Sequence, residues 1–318
     1  MSDKRKKNKN LILFLEFLIC SFIILSVFNL RTLYGKTFYK ENSDIQEVKD
    51  TNKKETTNQT TDNKEKVKLT SSQKDEELNK IINSYARENN KISVIYKDMK
   101  SGYRYSVNDD EYFSAASTTK VVYALYIYDR IENGQLKSDE EIEYRADMLE
   151  SGGGEITNRE KQKTYPIDYV VMNMLKYSDN TATNMLLINK TNGIKLMMNY
   201  MSKLGFELPA DKAALNKVTP LMMEKVWTYL YENQNKYPKI IEYLKESENN
   251  EWIKSGISNK KIASKYGQLA GVANNTAIVY GDNNEDYILI IYTENLSNSE
   301  KVIPELANKI NKLHDENI

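Results

Sequence analysis

The sequence predicts an α+β fold: one antiparallel β-sheet built from both ends of the folded part, with a helical lobe packed beside it. Three observations predict it. Ile92-Ser93-Val94-Ile95-Tyr96 and Tyr103-Arg104-Tyr105-Ser106-Val107 alternate apolar and polar residues across Asp98-Met99-Lys100-Ser101-Gly102, the pattern of a β-hairpin. Helical spacing fills the chain from about 115 to 250. Strand-like runs return at Lys261–Lys265, Thr276–Tyr280 and Tyr287–Thr293, the last two separated by Gly281-Asp282-Asn283-Asn284. Such an order places a sheet beside a helical layer, and a cleft between lobes is where a ligand binds.

Before the folded part come three segments. Residues 1–10 hold Lys4, Arg5, Lys6, Lys7 and Lys9 against Asp3, a basic tail expected in the cytoplasm. Residues 11–30, LILFLEFLICSFIILSVFNL, have about the length that crosses a hydrocarbon core of ~30 Å. They are read as a single-pass anchor with the remainder of the chain outside a bacterial cell. A cleaved signal peptide fits less well, because its apolar core is roughly 7–15 residues and ends at small residues. Here the run ends at Phe28-Asn29-Leu30-Arg31, and Cys20 follows Ile19 where lipid attachment wants a small residue. Glu16 is the costly position in this span. Residues 31–72 are too polar to bury a core and are read as a disordered linker, reaching on the order of 35 Å as a coil. The folded domain is assigned to residues 73–318.

Composition narrows the chemistry. The chain carries 45 basic and 45 acidic residues, which gives no case for nucleic acid. Cys20 is the only cysteine and His314 the only histidine. A Ser-His-Asp triad, a Cys-His pair and a Cys/His metal site are hard to build from that inventory, and no cofactor or metal is implied. A serine activated by lysine remains available.

Within the domain, Leu78, Ile81, Ile82 and Tyr85 mark a first amphipathic helix. Val121-Val122-Tyr123-Ala124-Leu125-Tyr126-Ile127-Tyr128 is apolar on every face and predicts a buried helix, with Gly134 as its stop. Breaks follow at Ser151-Gly152-Gly153-Gly154, Thr191-Asn192-Gly193 and Leu208-Pro209, and a final helix is expected to begin near Pro304.

Ser-x-x-Lys occurs three times, at Ser71–Lys74, Ser117–Lys120 and Ser258–Lys261. Any one alone is most simply a solvated pair. Only Ser117 precedes a buried helix, where spacing of three puts Ser117 and Lys120 on one face. Burial lowers the proton affinity of a lysine and makes it a base near neutral pH, and a helix N-terminus favours an anionic intermediate.

Ser178-Asp179-Asn180 by itself reads as a helix N-cap, and Lys265-Tyr266-Gly267 as a strand-to-turn junction. In the order Ser117-x-x-Lys120, Ser178-Asp-Asn180, Lys265-x-Gly267, the set resembles the penicillin-recognising serine enzymes. Tyr112-Phe113-Ser114-Ala115-Ala116, Gly134-Gln135-Leu136, Ser178-Asp-Asn-Thr-Ala-Thr-Asn184 and Ala277-Ile278-Val279-Tyr280 resemble their class A β-lactamase branch over roughly residues 75–315. The resemblance implies a five-stranded antiparallel sheet flanked by helices plus an all-helical lobe. It makes Ser117 the acylated nucleophile, Lys120 its base or proton relay, and Ser178 the donor to the leaving nitrogen. It gives Asn180 the substrate's side-chain amide, Lys265 the substrate carboxylate, and the oxyanion to the backbone amides of Ser117 and Gln268, just after Gly267.

Two departures bear on what such an enzyme finishes. The family's Glu-x-x-Leu-Asn loop, whose glutamate activates the deacylating water, is matched by Lys212-Ala213-Ala214-Leu215-Asn216, with Lys212 in the glutamate's place. Glu207 and Asp211 are nearby carboxylates without the right context. Losing a positioned base costs about 10²–10⁴-fold in its step, so slow deacylation is expected. Tyr266 replaces the usual Thr or Ser, moving the hydroxyl outward and weakening the expected carboxylate contact. The resemblance therefore implies a membrane-anchored serine acyl-enzyme, with a β-lactam or a peptidoglycan-type D-Ala-D-Ala peptide as its substrate. A true β-lactamase deacylating by another base, and a non-catalytic wall-binding or sensor module, remain the alternatives.

Overall fold

The computed structural model describes residues 69–87, 90–247 and 252–316. The basic tail, the apolar span and the linker as far as residue 68 lie outside the described residues. Among the described residues no helix is long and apolar enough to cross a membrane.

Helix α1 (Ser71–Asn83) starts two residues before the expected domain boundary. A capping box fixes the start: Thr70 Oγ1 accepts from the Gln73 amide while Gln73 reaches back to the Thr70 amide. Strands β1 (Lys91–Asp98) and β2 (Arg104–Val107) form the expected hairpin, with Val94 opposite Val107 and Lys97 opposite Arg104. Then come β3 (Phe113–Ser114), a 3₁₀ turn (Ala116–Thr119), α2 (Lys120–Glu132), β4 (Glu141–Glu143), α3 (Glu155–Asn158) and β5 (Thr164–Pro166). The helical middle continues with α4 (Ile167–Lys176), α5 (Asn180–Lys190), α6 (Gly193–Lys203) and α7 (Ala210–Ala214). After β6 (Lys217–Val218) follow α8 (Pro220–Glu232), α9 (Pro238–Lys245) and α10 (Ile253–Gly256). The chain returns to the sheet as β7 (Lys261–Leu269), β8 (Val272–Tyr280) and β9 (Tyr287–Glu294), then closes with α11 (Ser299–Glu316).

The main sheet has five antiparallel strands in the order β2-β1-β9-β8-β7, so strands from the two ends of the domain meet at β1 and β9. Both faces are covered, which is why β9 reads as a nearly continuous apolar run. Leu289 and Ile291 join Val94, Val279, Leu78 of α1 and Leu306 and Ile310 of α11 in the outer core. Ile288, Ile290 and Tyr292 join Ile95, Ile278 and the helical lobe in the inner core. Burying each such aliphatic side chain contributes about 1.5–3 kcal/mol.

Two sequence expectations change, and two short ladders are added. Helix α11 begins at Ser299, with Pro304 inside it. At that point α10 packs so tightly that a β-carbon on Gly256 would lie 2.2 Å from the Pro304 carbonyl oxygen. Strand β7 runs on to Leu269, so Lys265-Tyr266-Gly267 is mid-strand and not a strand-to-turn junction. Two small ladders, β3 with β6 and β4 with β5, have no sequence signal because two or three residues carry no period.

Candidate active site

Helix α2 fixes the position of Lys120. Val121, Val122, Ala124, Leu125 and Ile127 are buried, which forces the first turn and its lysine inside as well. Ahead of it, the 3₁₀ turn carrying half-buried Ser117 is braced from three directions. Asn216, just after α7, donates Nδ2 to the Ala116 carbonyl at 2.8 Å and accepts from Thr119 Oγ1 at 3.0 Å. Asn274 of β8 donates to the carbonyls of Ser114 and Ala115 at 2.7 and 3.3 Å. Thr118 Oγ1 donates to the Ala115 carbonyl and pairs with the Tyr292 hydroxyl of β9.

The edge strand β7 closes on this turn. A β-carbon on Gly267 would stand 2.7 Å from the Ser117 amide nitrogen and 2.8 Å from the Ala115 carbonyl oxygen. Only glycine permits that approach. Gln268, the next residue, is exposed.

Lys120 is 4% exposed. Its Nζ donates to the Ser178 carbonyl at 2.7 Å, Ser178 Oγ at 3.3 Å and Asn180 Oδ1 at 2.7 Å. Among the described residues none of its hydrogen bonds reaches Ser117 Oγ. Desolvation lowers the Lys120 pKa from 10.5 to about 7, against the opposing pull of Glu150 and Asp179. Half its population is then a free amine near neutrality, the state a base requires.

Ser178 is held in the left-handed region at φ +56° between α4 and α5, a conformation that costs energy for serine and directs it at Lys120. The clamp is Asp179. Its carboxylate accepts from the Ala182 amide at 2.9 Å as an N-cap, and from Thr157 N at 2.9 Å and Thr157 Oγ1 at 2.7 Å. One motif therefore caps α5 and sets a serine beside Lys120.

Lys265 is fully buried. Its Nζ donates to the Tyr266 carbonyl at 3.1 Å and lies 4.3 Å from the Tyr266 ring centroid. Burial, and then the charge of Lys120, hold its proton affinity well below the ordinary value. Among the described residues no carboxylate is ion-paired with either lysine, and the charge of Lys120 opposes that of Lys265. Tyr266 supplies an aromatic face instead of a short hydroxyl, and its ring stacks on Trp252 at 6.5 Å.

The structure thus gathers Ser117, Lys120, Ser178, Asn180, Lys265 and Gly267 around one turn and one strand edge. A family profile described as "Beta-lactamase enzyme family" matches residues 73–313. The chain belongs to the β-lactamase enzyme family. Beta-lactamase SME-1 of Serratia marcescens is 23% identical over 66% of this chain and 78% of its own. Among solved structures, a point mutant of PBP-A, described as an acyl-enzyme complex with penicillin-G, superposes with a TM-score of 0.68 at 18% identity. The match covers 76% of this chain and 96% of the mutant's own. The β-lactamase from Sphaerobacter thermophilus gives 0.67 at 20% identity, over 76% and 97%.

Against the β-lactamase pattern, the stretch from Glu207 to Asn216 keeps one element and lacks another. Asn216 reaches the turn that carries Ser117. Lys212 pairs with Asp211 at 3.3 Å and lies over the Tyr112 ring, and Glu207 and Asp211 are exposed. The carboxylates that bear on Lys120 are Glu150 and Asp179, neither from this stretch. Asn274, Tyr292 and Trp252 were not legible as site-building residues. Their roles depend on contacts across the fold, not on spacing.

Proposed function

We propose that this member of the β-lactamase enzyme family is a serine acyl-enzyme, loaded at Ser117 by β-lactams or D-Ala-D-Ala-type peptides and unloaded slowly. The observation that carries the reading is Lys120: a buried lysine with near-neutral proton affinity, one turn after Ser117 and bonded to Ser178 and Asn180. Ser117 Oγ attacks the carbonyl carbon while its proton passes to the free amine of Lys120. The oxyanion is met by the backbone amides of Ser117 and Gln268, brought together by the Gly267 approach. The carbon–nitrogen bond then breaks as Ser178 Oγ gives its proton to the leaving nitrogen and takes one back from Lys120. Asn180 holds the substrate's side-chain amide, and Lys265 with the Tyr266 face meets the carboxylate.

Release needs a water deprotonated beside the ester, and the stretch from Glu207 to Asn216 supplies no carboxylate there. Slow release follows. The apolar residues 11–30, between a basic tail and a polar segment, support a domain held outside the membrane on a single anchor. The anchor is tested by alkaline extraction of membranes, from which an anchored chain is not released.

Intact-mass measurement of the full chain with penicillin G over time, beside Ser117→Ala, tests the chemistry. A long-lived adduct on the parent alone is expected. Rapid loss of the adduct with antibiotic turnover would establish a hydrolysing β-lactamase instead. No adduct and no turnover, with D-Ala-D-Ala peptides also inert, would leave a binding module.

A further inference from the structure

Ser151-Gly152-Gly153-Gly154 reads in the sequence as a break, and acyl transfer at Ser117 gives it no task. In the structure it wraps the segment that carries Ser178, and each glycine faces one residue of that segment. A β-carbon on Gly152 would stand 2.9 Å from Asn180 Nδ2, one on Gly153 2.7 Å from the Tyr177 carbonyl oxygen, and one on Gly154 2.2 Å from the Asp179 carboxylate. Asn158 braces the loop from its far side, donating to the carbonyls of Gly152 and Gly154 at 2.9 and 2.8 Å. The carbonyl of Ser151 accepts from Asn180 Nδ2 at 2.9 Å.

That last bond has a directional consequence. A side-chain amide has a donor end and an acceptor end. With its donor end tied to Ser151, Asn180 must turn Oδ1 toward Lys120 Nζ, 2.7 Å away. A reversed amide would set donor against donor.

We propose that the Ser151–Gly154 loop is a positioning device for acyl transfer: it fixes the Asn180 amide with its acceptor toward Lys120 and so aims that lysine into the site. The inference rests on Lys120 serving Ser117, while the loop itself stays outside the reacting set. The groups facing Lys120 are Ser178, Asp179 and Asn180 at the start of α5, Glu150 just before the loop, and Lys265 from β7. The loop touches Asn180 through Ser151 and Gly152, and Asp179 through Gly154.

The test follows the titration of Lys120 by NMR in the full chain carrying ¹³C-labelled lysine, its signal identified by its absence from Lys120→Arg. Gly152→Ala forces the Asn180 amide aside. Gly205→Ala is the control, since Gly205 also has a positive φ, +89°, but nothing lies within 4 Å of an added β-carbon. Losing one hydrogen bond to the charged form should move the Lys120 midpoint down by roughly half a unit to one unit in Gly152→Ala. Acylation by penicillin G should slow by about tenfold as the base loses its aim. Gly205→Ala should change neither. Asn158→Ala, which unbraces the loop without adding atoms, should shift the midpoint the same way by less, and it serves if Gly152→Ala does not fold. A Lys120 midpoint equal to the parent's in the folded variants overturns the proposal. Failure of the parent to accept an acyl group would instead count against the assignment of Ser117, and the titration would still decide the loop's role.

Discussion

Gly267 and Ser117 meet backbone to backbone: the space a β-carbon would need on Gly267 is already taken by the Ser117 amide nitrogen, 2.7 Å away. The glycine of the Lys-x-Gly motif is therefore a condition for bringing the edge strand against the Ser117 amide. Gly267→Ala should push β7 off the turn and separate the Ser117 and Gln268 amides. Misplacing one oxyanion donor costs about 10²–10³-fold. The second-order acylation rate with a chromogenic β-lactam should fall by about that factor, while far-UV circular dichroism stays unchanged. An acylation rate within threefold of the parent would remove Gln268 from the proposed oxyanion site.

Lys120 sets the pH dependence. If the proposed acylation uses its free amine, with a pKa near 7, the acylation rate should rise with pH through about 7 and level off above. Stability has its own window. The folded-state value lies below the ordinary 10.5, so the unfolded chain binds more protons between about 7 and 10.5, and Lys120 makes stability rise with pH across that range. Lys120→Met should make this slope shallower by one proton's share, the rest coming from buried Lys265 and half-buried Lys254, and abolish acylation together. Urea melts at several pH values, paired with intact-mass acylation, measure both effects.

His314, the chain's only histidine, sits on the opposite side of the sheet from Ser117. It is buried against Tyr96 and Tyr287 of the outer core. Its Nδ1 pairs with the Tyr96 hydroxyl at 2.7 Å and its Nε2 with the Glu285 carbonyl at 2.9 Å. Because the carbonyl only accepts, Nε2 carries the proton and Nδ1 receives the Tyr96 hydrogen in the neutral ring. Burial lowers its pKa below 6.5, opposed by the Glu285 bond and by Asp98 and Asp315 and aided by Lys260. The unfolded chain therefore takes up this proton first, and stability falls as pH drops below 6.5 toward the folded value. His314→Gln should flatten that part of the melting-temperature profile and leave acylation untouched. Loss of acylation in a folded His314→Gln would contradict the lysine-based chemistry.

The parts of this fold that were legible in the sequence are those whose residues carry a period or are apolar throughout. The β1–β2 hairpin, β9 and α2 reveal themselves because each must bury a face or an entire surface. The β3–β6 and β4–β5 ladders do not, since so few residues are paired and the partners are distant in the chain. In the site, Ser117, Lys120, Ser178 and Gly267 were legible through spacing and family pattern. What braces them was not. Asn274 and Tyr292 read only as strand residues until β8 and β9 are laid beside the turn they hold, and the stacking of Tyr266 on Trp252 exists only in the fold.

Asn216 and Lys212 test the two halves of the proposed reaction separately. Asn216 is bonded to Ala116 and Thr119 on either side of Ser117, so Asn216→Ala removes both braces at once. Each net hydrogen bond is worth about 0.5–1.5 kcal/mol, and leaving a buried partner unmade adds to the loss. The variant should melt lower and acylate about tenfold more slowly, as the turn samples unproductive positions. Lys212 pairs with Asp211 and lies over Tyr112, so Lys212→Ala should change neither the loading rate nor the lifetime of the penicillin adduct by more than about threefold, since no general-base effect of about 10²–10⁴ is at stake there. The lifetime is read by isolating the adduct and following the return of the unmodified mass. A much longer-lived adduct in Lys212→Ala would show that this lysine helps remove the acyl group, and the stretch from Glu207 to Asn216 would then hold a deacylating base after all.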